Sequence, residues 1–120
     1  MKTIQINKEV LHSIYGGCAE SMQEVFSEFL NGHAGIRQNL LSSYQSGSVD
    51  SLKGFLHHHG PSFMYLGMPY IADSFKALER QCLGVADQDL ISDNFFNLIR
   101  LVDQSRALVV NEMKHLRKAG

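Results

Sequence analysis

The sequence predicts an all-α protein, an up-and-down antiparallel four-helix bundle with a short extra N-terminal helix. Three observations carry that prediction. Chain breakers are few and clustered, at Gly16-Gly17, Asn31 to Gly35, Ser46 to Ser48, Gly67 to Pro69 and Gly84 to Asp89. The segments between them space their apolar residues as a helix does when it is packed by one face. No stretch alternates in the manner of a strand, and short loops between long amphipathic helices make antiparallel neighbours.

The elements follow in order. Asn7 caps a short helix through Val10, Leu11 and Ile14, which stops at Gly16-Gly17. A second begins near Cys18 and carries Met22, Val25, Phe26, Phe29 and Leu30, with Glu20, Glu24 and Glu28 on its wet side. After the glycine break come Ile36, Leu40, Leu41 and Tyr44, ended by Gly47. These two stretches are either separate helices or one helix with an irregular middle, and the sequence leaves both open. The next helix takes Ser48 or Asp50 as its cap and runs towards Leu66, with Gly67 as its stop. Met68-Pro69 starts another, since proline suits a first turn, and Ile71, Phe75, Leu78 and Cys82 are its stripe. The last begins near Asp89 and carries Ile91, Phe95, Leu98, Leu101 or Val102, Leu108, Val109 and Met113. Lys114, Arg117 and Lys118 close it, favourably for the helix dipole.

With 120 residues, 44% of them hydrophobic, the chain holds one domain, 1–120, with its own core. A net charge of −1 argues against nucleic-acid binding held by bulk charge. Two cysteines, Cys18 and Cys82, make no disulfide framework. No run of apolar residues is long enough to span a membrane, and MKTIQINKEV has no apolar signal core. A cytoplasmic, reduced, monomeric protein is expected.

Six histidines stand out, three of them consecutive at His57, His58 and His59. At ~100° per residue and with His57 at zero, Leu52, Phe55, Leu56, Phe63 and Leu66 fall between ~160° and ~260°. His59, at ~200°, lies within that arc and is read as a core or boundary residue hydrogen-bonded inside the protein. His58 flanks it, and His57 points away from the core. Around His57 lie Asp50, Lys53, Gly54, Gly60, Pro61 and Met64. A merely wet helix face does not need glycine and proline, which cost ~1 and ~3 kcal/mol relative to alanine. Small residues there leave room for something large to approach the imidazole. Adjacent histidines diverge and chelate poorly, so metal binding through the triplet is a third reading, and neither metal nor cofactor is expected. His12, His33 and His115 have no spacing partners.

The stretch Asp50 to Glu79, DSLKGFLHHHGPSFMYLGMPYIADSFKALE, resembles the core of histidine-containing phosphotransfer (HPt) domains. In that family a leucine precedes the reactive histidine by five residues, a serine follows it by five, and a Leu-Gly pair follows later. Leu52, Ser62 and Leu66-Gly67 stand in those places, Ile71 takes the next apolar one, and Leu78-Glu79 complete the pattern. The likeness runs from about Asn7 to Gln81.

The resemblance implies a bundle of mostly four long helices that presents one phosphoacceptor, here His57. It takes a phosphoryl group from an aspartyl phosphate on a receiver domain, of a response regulator or hybrid histidine kinase, and passes it on. Such a protein is a relay without stand-alone turnover; the receiver supplies the metal ion. The family places lysine and glycine three and four residues after the histidine, where this chain has Gly60 and Pro61. Pro61 leaves the His57 carbonyl without its helical partner, and a kink is predicted there. Lys53, one turn before His57, is the candidate to replace the missing charge. Glu79 matches the position from which the family often contacts the histidine, and is either an orienting residue or an ordinary surface glutamate. Ser62 either bridges backbone and site or is a small residue at a helix contact. Met64 and the edge of Tyr65 are candidates for receiver docking, and Phe63 for the core. Gly60 and Pro61 favour the rival reading, an HPt-like bundle that has lost relay activity and serves as an interaction or regulatory module.

Overall fold

A computed structural model describes residues 4–84 and 88–119. Val85 to Asp87, part of one expected break, and the Lys118 side chain, expected to close the last helix, lie outside the described residues. The described residues are all-helical and contain no strand. There are five α-helices: α1 (Lys8–Tyr15), α2 (Ala19–Gln45), α3 (Val49–His59), α4 (Pro69–Cys82) and α5 (Ser92–Ala119). Two 3-10 segments, Gly60–Leu66 and Gln88–Ile91, extend the end of α3 and precede α5.

The caps follow from side-chain chemistry. The Asn7 side-chain oxygen accepts from the amides of Glu9 and Val10, and Gly16 ends α1 in the left-handed conformation. Ser48, not Asp50, caps α3, accepting from the Ser51 amide at 3.1 Å. Pro69 stands in the first turn of α4, where its missing N–H costs nothing.

The glycine-rich stretch at 31–35 does not break the chain. α2 is one helix of 27 residues. Gly32 and Gly35 lie on its exposed side, and the helix is held there by tertiary contacts that outweigh poor propensity. His33, which showed no role in the sequence, is buried and bonds the Val102 carbonyl of α5 through Nε2 at 2.9 Å. Its ring also meets Phe29 edge-on at 5.5 Å.

The helix expected to reach Leu66 changes type instead. It is α-helical to His59 and 3-10 from Gly60, with Pro61 at the start of the new segment. At Pro61, where the sequence predicts a kink, the structure shows a change of helix type. Gly67 closes the segment with φ +73°, and its carbonyl accepts from the Asn7 amide at 2.7 Å. A β-carbon at Gly67 would stand 2.8 Å from Leu11 Cγ, so this glycine both ends the segment and admits α1.

α3 packs on α4, α2 on α5, α2 on α3 and α4 on α5, while α1 lies against α2 and the 3-10 segment after α3. Phe26, Phe63, Phe75 and Phe95 are wholly buried between them. Burying each contributes about 1.5–3 kcal/mol. Lys8 of α1 pairs with Glu112 of α5, whose carboxylate is buried and would be costly without a partner.

Candidate functional site

The pairing of α3 with α4 builds the site. Lys53 lies beside Cys82, His57 bonds Glu79, and Gly60 meets Phe75, so the two helices run antiparallel. Leu52, Leu56, Gly60, Phe63 and Leu66 are the buried residues from the start of α3 to the end of the 3-10 segment, which centres the core near ~240° on the helical wheel. That is some 30° from the centre of the expected arc, and it moves two histidines. His57 stands at the α4 edge of its helix instead of opposite the core. His59 stands at the other edge, half-buried.

His57 has a side chain 80% exposed, with Nδ1 3.0 Å from Glu79 Oε2. A carboxylate accepts, so Nδ1 carries a proton, and in the neutral ring Nε2 is then the nitrogen with the free lone pair. Among the described residues Nε2 has no hydrogen-bond partner. An open groove of about 420 Å³ lies beside the ring. His57, Gly60, Pro61 and Met64 line one side of it, and α4 contributes Asp73, Lys76, Glu79 and Arg80.

The other candidates divide. Gly54 is exposed, with open space where a β-carbon would be, as expected of a residue that leaves the approach clear. Gly60 is not on the open face. It is buried, and a β-carbon there would stand 2.8 Å from Phe75 Cβ, so its smallness lets α4 come close. Pro61 and Met64 are exposed at the groove. Ser62 is exposed and does not line the groove. Tyr65 is exposed, and its carbonyl accepts from the Tyr15 hydroxyl at 2.5 Å. Phe63 is in the core.

Lys53 does not reach the groove. The antiparallel pairing puts the start of α3 beside the end of α4, and Lys53 lies with Asp50, Cys82 and Leu83. Burial pushes the Cys82 thiol up, and the Lys53 charge opposes that rise. The cations at the groove are Lys76 and Arg80, which sequence reasoning missed. The stripe Ile71, Phe75, Leu78 and Cys82 leaves Lys76 and Arg80 beside Glu79 on one flank of α4. Only the pairing of α4 with α3 turns that flank towards His57.

The triplet fans out. His58 is exposed, and the His59 ring lies on Phe55 with centroids 4.2 Å apart; the hydrogen bond expected of His59 is not found among the described residues. Among the described residues no three of His, Cys, Asp and Glu are grouped to hold an ion. Burial, then the charge of His58, holds the His59 imidazole below its ordinary 6.5. The unfolded chain therefore binds the proton more readily. Stability from neutral His59 is complete above the ordinary value and is lost as pH falls through it. His59→Phe is expected to flatten the decline in urea midpoint below about pH 6.5. A variant that declines as steeply as wild type removes His59 as its source.

Among the described residues no helix is long and apolar enough to cross a membrane. Compared with known protein families, with curated proteins and with solved structures, the chain matches none.

Proposed function

We propose that the chain is a histidine phosphotransfer protein of a two-component phosphorelay, with His57 as the residue that carries the phosphoryl group. The observation that supports this most is the His57–Glu79 bond, 3.0 Å at Nδ1, on a ring otherwise open to solvent. Nucleophilic attack needs a neutral ring with a free lone pair, and a carboxylate at Nδ1 selects that tautomer with Nε2 outward. In this reading α2, α3, α4 and α5 are the four helices of an up-and-down bundle, and α1 is the extra one. The partner is a receiver domain, which docks over Gly54, Pro61 and Met64. The protein works as a cytoplasmic monomer.

In the forward step Nε2 attacks the receiver's aspartyl phosphate. The Nε2–P bond forms as the P–O bond breaks, and the aspartate leaves as a carboxylate. The proton on Nδ1 stays, and the positive charge that develops on the ring faces Glu79.

A second reading keeps the docking surface and drops the transfer. It is favoured by Gly60 and Pro61, which put no charge on the turn after His57.

Incubation with a panel of phosphorylated receivers separates the two. The relay predicts acid-labile, alkali-stable label that is lost in His57→Gln and kept in His58→Gln. Receiver binding without label on any histidine establishes the second reading in its place.

A further inference from the structure

A phosphoryl group on nitrogen brings close to two negative charges, and its oxygens carry spread charge while it is in transit. Cations placed before the group arrives lower the cost of bringing it. The turn of α3 that follows His57 supplies none, and Lys53 lies beside Cys82. α4 supplies two. Lys76 and Arg80 are one turn apart on the same flank, and both line the groove beside His57. Between them in sequence is Glu79, whose carboxylate is taken by His57 Nδ1. Neither cation makes a hydrogen bond or an ion pair within the protein among the described residues, so both heads are free for an anion. Asp73, one turn before Lys76, is the groove's other carboxylate and opposes an anion at that end.

We propose that Lys76 and Arg80 hold the oxygens of the phosphoryl group as it reaches His57 Nε2, an assignment that rests on the relay reading above. The charge that stabilises the transferred group then comes from the helix facing the histidine, not from the histidine's own helix. Glu79 serves the ring, and its two basic neighbours serve the phosphorus.

Phosphoramidate tests this without any receiver. Nε2 attacks phosphorus, the Nε2–P bond forms as the P–N bond breaks, and ammonia leaves with the electron pair. The intact mass of the protein then rises by one phosphoryl group. Lys76→Gln and Arg80→Gln are each expected to slow labelling about threefold to tenfold, and the double variant about tenfold to a hundredfold. The charge-keeping double variant Lys76→Arg/Arg80→Lys is expected to label within about twofold of wild type. That rescue distinguishes charge from packing, and unchanged melting temperatures exclude loss of fold. A double Gln variant that labels at the wild-type rate, while His57→Gln takes no label, overturns this assignment and leaves the relay standing. A wild-type protein that takes no label at all, or takes it equally in His57→Gln, overturns the relay reading and this assignment together.

Discussion

Glu79→Ala is expected to slow phosphorylation of His57 about tenfold to a hundredfold while lowering the melting temperature by no more than about 4 °C. The two halves of that expectation have separate causes. In the His57–Glu79 pair the histidine is exposed and the glutamate half-buried, with side-chain exposures of 80% and 27%. An exposed pair contributes at most ~1 kcal/mol to stability, so its loss hardly touches the fold. The chemistry depends on it more heavily. Without a carboxylate at Nδ1 the ring divides between two tautomers and turns freely about its side-chain bonds. Only part of the population then presents Nε2 to an incoming phosphorus. The positive charge that builds on the ring also loses its counter-charge. Glu79→Gln keeps an acceptor oxygen but not the charge, and should fall between alanine and wild type. Phosphoramidate labelling read by intact mass gives the rates, and the ring nitrogen resonances of His57 give the tautomer. An alanine variant that labels as fast as wild type would mean that Glu79 is an ordinary surface glutamate.

Gly60→Ala is expected to destabilise the protein by about 1–3 kcal/mol. The added β-carbon would stand 2.8 Å from Phe75 Cβ, and Phe75 is wholly buried, so neither helix has a flexible tip to move aside. α3 and α4 must part, and the groove between them widens with the strain. Gly54→Ala is the matched control. That glycine lies within α3 and has nothing within 4 Å of its would-be β-carbon, so alanine should stabilise it by up to ~1 kcal/mol through helix propensity alone. Opposite signs at two glycines six residues apart, read by thermal or urea unfolding, test the close approach of α4 directly. If Gly60→Ala proves no less stable than wild type, the helices are not as close as described. Because Gly54 lies on the face assigned to the receiver, its alanine variant should also dock more weakly although it is more stable. A stripe that only needed to be wet would gain stability at no such cost.

Helix positions were legible in the sequence because their signals are local. Asn7, Gly16, Ser48, Gly67 and Pro69 act on backbone groups within a few residues of themselves, so they terminate or start helices whatever lies across the core. Two features of α2 and α3 were not local. The continuity of α2 through Gly32 and Gly35 depends on His33 reaching a carbonyl of α5, 69 residues away in sequence. The burial of Gly60 depends on where Phe75 of α4 falls. A helical wheel assumes that the core lies behind the average of the apolar residues. Here the approach of α4 shifts that centre towards Gly60, which places His57 in a groove and His59 on a half-buried edge.

The sequence by itself determined an all-helical chain, the breaks between its helices and the exposure of His57. Periodicity and capping are properties of a single segment. The tertiary structure alone decided what surrounds that histidine. Glu79 was a candidate until α4 brought it to Nδ1, Lys53 was carried to Cys82, and Lys76 and Arg80 arrived unannounced. The reason is that a helix face is chosen by its own apolar stripe, but which charges meet across a groove depends on the register and direction of two helices. Those are fixed by contacts as specific as a glycine without a side chain facing a phenylalanine.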